Sequence, residues 1–219
     1  MRKITLVLLV CLFILSGCRV NRKNIESLIT QTIDEAILLS LPASVNMNKK
    51  LMSYYLQPSI GKIESTQTNS VFKISSNYVI LNIDVAAVIS RKYYSTGDAT
   101  ELREIDAFSD LVMEKEGSFP TATNIVRNYR YRLYQLSNDR YGILLQTSNL
   151  IVVAIVPTGD AINVTTEIFL LVRSCRIDEE AVVENYSQKE MIDYQKETLE
   201  LFEKMYPTEG LLIDMNDDY

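Results

Sequence analysis

The first 18 residues decide how much of this chain is available to fold. Arg2 and Lys3 give a short positive start, and residues 4–15 are apolar apart from Thr5. A helix that spans a bilayer needs about 20 apolar residues, so this run is too short. A basic start, a short apolar run and then small residues are the order typical of a secretory signal. We therefore expect residues 1–17 to be a signal peptide rather than an N-terminal helix buried in the core.

Leu15, Ser16, Gly17 and Cys18 follow the apolar run. This stretch resembles the lipobox of bacterial lipoproteins, and the resemblance covers residues 1–18 only. It implies cleavage before Cys18 and a diacylglyceryl group on the Cys18 sulfur. Two acyl chains hold a protein stably at a bilayer, whereas one holds it only marginally. The expected location is the extracytoplasmic face of the cell membrane, with the bilayer as a partner through acylated Cys18.

The remaining chain of roughly 200 residues suits one domain with a sizeable core. We expect a short lipidated tether over residues 18–23, a single domain over 24–206 and an acidic tail over 207–219. Only Cys175 accompanies Cys18 in the mature chain, so no disulfide is expected within the domain. Cys175 follows an apolar run and is expected to be a buried, inert thiol.

Composition excludes several classes of function. The chain has no histidine, which removes Ser-His-Asp and Cys-His catalysis and histidine-ligated metal sites. No glycine-rich phosphate loop is present, so neither a metal nor a cofactor is predicted. Residues 24–177 carry 14 basic and 15 acidic side chains, whereas residues 178–219 carry 3 and 13. Nucleic acid is therefore not an expected partner.

Apolar spacing predicts four helices and several strands. The helices are expected over residues 24–40, 47–56 and 99–115, with a last one that begins near Asp178 or Ser187 and ends by residue 206. Strands are expected over residues 62–74, 78–89, 126–136 and 161–173. Residues 140–157 could form one bulged strand or two strands. Helices interspersed with antiparallel-type strands indicate an α+β fold.

The element order up to Arg176 looks like the cone-shaped cystatin-like and nuclear-transport-factor-like folds. That resemblance implies a curved antiparallel sheet packed by N-terminal, middle and C-terminal helices. It is a likeness of element order, which no motif accompanies. Folds of this kind host enzymes, binding modules and assembly parts, so the resemblance assigns no function.

Two groups of residues are candidates for ligand or partner contact. Asp84 lies in a strongly apolar run two residues after Asn82, and a buried carboxylate there would need a partner. The alternative is a strand face turned to solvent, or a structural pair with an arginine. In the second group, Arg127, Arg130 and Arg132 alternate with tyrosines that include Tyr129.

The basic-aromatic run could bind an anionic surface polymer, a wall carbohydrate or a phosphate headgroup. The alternative is an ordinary amphipathic strand whose tyrosines point inward and whose arginines pair with acids. A third feature is the row of carboxylates at Asp106, Asp110 and Glu114, spaced four residues apart along the helix expected over 99–115. It could support glycosidase-like chemistry, or be a solvated helix face.

These observations favour a non-catalytic binding or assembly module that is anchored close to the membrane. Its partner would be a membrane-proximal protein or an anionic surface polymer. The alternative is a carboxylate-dependent, glycosidase-like hydrolase at the cell surface. The lack of histidine and of any nucleophile motif favours the module over the enzyme.

Lipidation gives the first testable prediction. Mass spectrometry of the membrane fraction should find a chain that begins at Cys18 and carries acyl mass on that residue. Cys18→Ala should release or mislocalise the protein, because one anchor point is lost. A mature chain that keeps residues 1–17 would contradict the prediction.

Overall fold

A sheet of seven strands, all paired antiparallel, forms the centre of the fold. The computed structural model describes residues 22–94, 102, 105, 107–136, 139–186, 200–202 and 204–206. The elements are α1 (Arg22–Leu38), β1 (Met47–Asn48), β2 (Met52–Tyr54), β3 (Ile60–Ser65), β4 (Asn69–Ile74), β5 (Asn77–Ile83), α2 (Val85–Tyr94), β6 (Leu111–Pro120), β7 (Val126–Gln135), β8 (Arg140–Thr147), β9 (Leu150–Pro157), α3 (Ala161–Ser174), β10 (Arg176–Ile177) and α4 (Glu179–Tyr186).

The strand order in the large sheet is β3, β4, β5, β9, β8, β7, β6. A second, three-stranded sheet has the order β1, β2, β10. Together with the helices, these sheets confirm the α+β class. The cystatin-like or nuclear-transport-factor-like cone stays a prediction. No helix in the part of the chain that the structure describes is long and apolar enough to cross a bilayer.

Alternation along the strands gives the large sheet two apolar faces. We call the face under α1 and α3 the helix face. Its core includes Leu81, Tyr131, Leu145 and Val152 from the sheet, Ile25, Ile29 and Ile33 from α1, and Val164, Ile168 and Val172 from α3. The opposite face packs against residues 105, 107 and 108 and the helical residues near 202, and its core includes Ile80, Leu144, Val153, Ile105, Phe202 and Tyr206.

Phe169 lies at the centre of the helix face. Its ring contacts those of Phe119, Tyr129 and Tyr131, with centroids 6.2, 5.2 and 6.1 Å away. The buried Tyr131 hydroxyl forms a 2.9 Å hydrogen bond with the Thr165 hydroxyl, so the ring is buried without leaving its polar atom unpaired. The core is therefore aromatic, although the chain has no tryptophan.

Several sequence expectations are confirmed. The helix expected over 24–40 is α1, the strand expected over 126–136 is β7, and residues 140–157 form two strands, β8 and β9. A helix, α4, begins after Asp178, one of the two expected starts. Residues 200–202 and 204–205 are helical as well. The alternative start at Ser187 lies outside the described residues.

Three expectations are wrong because the apolar residues in these segments fit both the period of a helix and the period of a strand. Residues 47–56 form β1 and β2, not a helix. The strand expected over 78–89 ends at Ile83, and α2 begins two residues later, at Val85. The strand expected over 161–173 is α3, whose buried residues recur at intervals of three and four.

The helix expected over 99–115 is wrong in its last part, because residues 111–120 form the strand β6. Glu114 therefore lies on a strand, and Asp110 lies in the irregular segment just before it. Asp106 and Glu101 lie outside the described residues. The row of carboxylates along one helix face is thus not observed for Asp110 and Glu114.

Because neighbouring strands run antiparallel, the connections between elements lie at two opposite ends of the sheet. The connections after β4, β7 and β9 lie at one end, which we call the proximal end, and those after β3, β5, β6 and β8 lie at the other, the distal end. Since α3 follows β9, it begins at the proximal end and finishes at the distal end. Arg173 in its last turn bonds the C-terminal carbonyls of α1, so α1 runs the same way.

Arg173 is a buried cation that joins three elements at the distal end. Its Nη1 donates to the carbonyls of Ala36 at 2.6 Å and Leu39 at 2.9 Å, and its Nε donates to that of Pro120 at 3.3 Å. These bonds cap the C-terminus of α1 and hold the end of β6 against it. Among the described residues no carboxylate pairs with Arg173, so the carbonyl dipoles compensate the buried charge.

Replacement of Arg173 should therefore be costly. We expect Arg173→Met to lower the free energy of unfolding by about 3 kcal/mol, because three carbonyls lose their donor. Urea unfolding of the detergent-purified protein measures this. The control is Arg176→Met, since Arg176 is exposed and makes a single 3.4 Å bond to the carbonyl of Ala43. Equal losses in the two variants would contradict the assigned role of Arg173.

Candidate functional site

Asp84 is a helix cap in this structure. Its Oδ1 accepts the backbone N–H of Ala87 at 3.0 Å, and its own N–H donates to the carbonyl of Asn149 at 3.0 Å. An aspartate in this position satisfies a free donor at the start of α2. Asp84 is thus neither a mid-strand residue nor a solvent-facing one, and its role here is structural.

Asn82 lies on the opposite face of the sheet, in a buried row that crosses several strands. Asn69 and Ile151 are its direct neighbours on β4 and β9, and Gln146 follows beyond Ile151 on β8. Asn69, Asn82 and Gln146 are at most 4% exposed. Asn82 thus belongs to this polar row, whereas Asp84 caps α2.

Arg130 and Arg132 also lie on this opposite face, and both are paired. Arg130 Nε lies 2.5 Å from Glu116, and Arg132 Nε lies 2.5 Å from Glu114 on the neighbouring strand. Arg132 also donates to the carbonyl of Ile105 at 2.7 Å. These are the cross-strand pairs of an amphipathic strand, so the two arginines are not unpaired cations for an anionic polymer.

Tyr129 and Arg127 lie on the helix face instead. Tyr129 belongs to the aromatic core, and burial raises its pKa to about 12. Arg127 lies near the distal end, where its Nη1 is buried without a hydrogen-bond partner. Burial lowers the pKa of Arg127, Cys175 and Glu179 oppose this shift, and Arg91 adds to it by repulsion. The six candidate contact residues thus do not form one site.

The structure has a groove that the sequence did not predict. It lies between α2 and α4 at the distal end and has a volume of about 710 Å³. It is lined by Val88, Arg91, Lys92 and Tyr93 from α2 and by Glu179, Glu180, Val183 and Glu184 from α4. This volume is in the range of ordinary ligand pockets. The sequence signal for this groove was Asp84. An N-cap residue at that position marks the start of α2, which forms one wall of the groove.

Hydrogen bonds fix one side of the groove. Arg91 Nη2 lies 3.1 Å from Glu179 Oε1, and Asn149 Nδ2 donates to the same oxygen at 2.8 Å. Arg91 also donates to the carbonyl of Ser148 in the connection after β8. The ion pair is thus tied to the β8–β9 connection, which fixes its position at the distal end of the large sheet.

A second feature of the distal end is an uncharged apolar surface, which we call the apolar cap. It comprises Leu38, Leu39, Ile125 and Val126, which are 85%, 46%, 62% and 68% exposed. Arg173 joins the two segments, through Leu39 and through Pro120, which pairs with Val126. Residues 36–48 and 117–126 contain no charged side chain.

Cys175 lies under the distal end, immediately after α3. It is buried, as expected, although it follows a helix rather than a strand. Burial raises the pKa of its thiol to about 12, and Arg127 opposes this only in part. The thiol is therefore protonated and inert near neutrality. Among the described residues, no group of three or more acidic or cysteine side chains could hold a metal ion.

The buried thiol predicts a loss of stability at alkaline pH. The folded chain keeps the Cys175 proton up to a pKa of about 12, whereas an unperturbed thiol ionises near 9.0. The stabilisation is thus complete below pH 9 and is lost as pH rises toward 12.

Cys175→Ala removes this contribution and leaves the tyrosines unchanged. The stability difference between the wild type and this variant should therefore shrink by up to about 1 kcal/mol per pH unit above 9. Urea unfolding from about pH 8 to about pH 10.5 measures it. A difference that stays constant over this range would show that Cys175 does not contribute.

Comparisons with known proteins assign no family. No family model matches the chain, and no curated protein matches it. The chain is similar to a solved crystal structure from Bacteroides thetaiotaomicron VPI-5482, with a TM-score of 0.27 and 10% identity. The similarity covers 73% of this chain and 60% of that one. At this TM-score the likeness supports no assignment of fold or function.

Proposed function

We propose that this protein is a lipid-anchored, extracytoplasmic binding module that docks another protein on its apolar cap. The observation that carries the proposal is the cap itself. Four large apolar side chains are exposed on two uncharged segments, and Arg173 bonds both segments through the carbonyls of Leu39 and Pro120. Clustered exposed apolar residues mark interaction sites more often than singly scattered ones do. The expected partner surface is apolar and uncharged.

The position of α1 supports a docking surface that points away from the anchor. The helix begins at Arg22, so only residues 19–21 would separate it from a lipidated Cys18. Its 17 residues span about 25 Å, and they run from the proximal to the distal end. The apolar cap lies at the far end of α1. The module would thus be tethered at one end and dock at the other.

The charges of α1 argue against the bilayer as the occupant of the cap. The cap could reach the anchoring membrane only if α1 lay along its surface. The exposed side of α1 carries Glu26 and Glu35, which anionic headgroups would repel, whereas Asp34 is paired with Lys115 at 2.6 Å. A protein surface is therefore the better occupant.

The hydrolase alternative finds no support in the carboxylates of the groove. Glycosidase chemistry needs two carboxylates that face each other across the bound sugar. In the groove all three carboxylates come from α4, on one wall, and the other wall is basic. Among the other described acids, Glu114 and Glu116 are paired with arginines.

Site-specific crosslinking in intact cells tests the docking surface. A photoreactive residue at Ile125 should form one defined protein adduct. Because Leu38 belongs to the same surface, Leu38→Glu should abolish that adduct, although it lies on a different element. The variant should unfold within about 0.5 kcal/mol of the wild type, because Leu38 is 85% exposed.

Ile63 provides a matched control, since it is an exposed aliphatic residue on β3, 50% accessible and away from the cap. A photoreactive residue there should give no such adduct, and Ile63→Glu should leave the adduct at Ile125 intact. Crosslinks from Ile125 to lipid would identify the membrane as the occupant and contradict the proposal. An adduct that survives Leu38→Glu would contradict it as well.

A further inference from the structure

The groove between α2 and α4 is lined by apolar residues and by charged residues whose sign differs between the two helices. Val88 and Val183 are its aliphatic residues, and Tyr93, which is 58% exposed, is its aromatic one. Arg91 and Lys92 lie on the α2 side, and Glu179, Glu180 and Glu184 lie on the α4 side. A molecule in the groove would therefore meet cations along one side and anions along the other.

Arg91 and Glu179 neutralise each other, but the other three charges in the groove have no partner among the described residues. The side chains of Lys92, Glu180 and Glu184 make no ion pair or hydrogen bond within the part of the chain that the structure describes. Lys92 thus lies more than 4.0 Å from both carboxylates, although all three line the same groove. The groove carries a net charge of −1.

We propose that this groove binds a short zwitterionic peptide. Its carboxylate would lie at Lys92, its ammonium group would lie at Glu180 and Glu184, and an apolar side chain would rest on Val88 and Val183. Ammonium and carboxylate groups at the two ends of one molecule match the two walls in a single orientation. Charge-assisted hydrogen bonds at both ends supply the specificity, and the valines supply apolar contact.

The charges of the groove also exclude other ligand classes. A polyanion would meet two unpaired carboxylates for each unpaired cation, so an anionic polymer is disfavoured there. A purely apolar ligand would leave three charges without partners on a surface it dehydrates. The fixed ion pair of Arg91 and Glu179 means that the groove does not need to rearrange before it binds, which lowers the cost of binding.

The peptide site does not depend on the proposed docking function. The groove and the apolar cap share no residue, and they come from different elements. Either proposal can therefore fail while the other stands. The crosslinking at Ile125 and the peptide titration below report on separate surfaces.

The test uses the tripeptide Val-Ala-Lys with free termini, the same peptide acetylated at both amino groups, and the same peptide amidated at its C-terminus. Each is titrated to about 10 mM into the full-length, detergent-purified protein while valine methyl NMR signals are followed. We expect saturable shifts at Val88 and Val183 with the free peptide. Each blocked peptide should bind about two- to fivefold more weakly, as partly exposed ion pairs allow.

Charge variants assign the two ends. Lys92→Gln should make the free and amidated peptides bind equally, and Glu180→Gln with Glu184→Gln should do the same for the free and acetylated peptides. Lys73→Gln and Glu26→Gln are the controls, since both residues are exposed and line no part of the groove. They should leave all three affinities unchanged.

Two outcomes would overturn the proposal. One is the absence of saturable shifts at Val88 and Val183 with the free peptide. The other is binding that blocking of either terminus does not weaken, or that Lys92→Gln and Lys73→Gln change equally. Folding of each variant is checked by its unfolding midpoint, which should match that of the wild type because the substituted side chains are exposed.

Discussion

The guanidinium of Arg173 holds the distal end of this protein together. It is 4% exposed, and burial lowers its pKa, yet a guanidinium remains charged in a folded protein. The compensation comes from carbonyl groups, two of which lie where the dipole of α1 places partial negative charge. Because one side chain joins α1, α3 and the end of β6, the ends of these three elements are held next to one another at the distal end. The apolar cap exists only because Leu39 and Pro120 are held to the same group.

The antiparallel sheet then explains why the two candidate surfaces lie far from the start of α1. In such a sheet, successive connections alternate between the two ends. The elements that follow β5 and β6, and the last turns of α1 and α3, all reach the distal end. The apolar cap and the peptide groove are therefore neighbours in the fold although their residues are distant in sequence. A chain anchored at the start of α1 would expose both surfaces to extracytoplasmic partners.

Some of this architecture was predictable from the sequence, and the rest was not, for physical reasons. The helical spacing of Ile25, Ile29 and Ile33 predicted α1, and the alternation of tyrosines and arginines predicted β7. Residues 161–173 fit both a strand and a helix, since β-branched side chains favour strands. In the folded chain this segment follows β9 and forms the helix α3. Residues 85–89 are apolar throughout, so no period distinguishes α2 from a longer strand. The groove depends on α2, which is why it was missed.

The difference between paired and unpaired charges separates the structural surfaces from the binding surface. Arg130 and Arg132 form ion pairs with glutamates of the adjacent edge strand β6. Charged side chains on an edge strand also discourage pairing with other chains. Within the described part of the chain, Lys92, Glu180 and Glu184 form no such ion pairs. An exposed charge costs little when it stays unpaired, so folding stability neither requires nor opposes their position. Their convergence on one groove, beside a fixed ion pair and over two valines, adds nothing to the core. It places positive charge on one side of the groove and negative charge on the other. A groove with charges separated in this way can distinguish the two ends of a bound molecule.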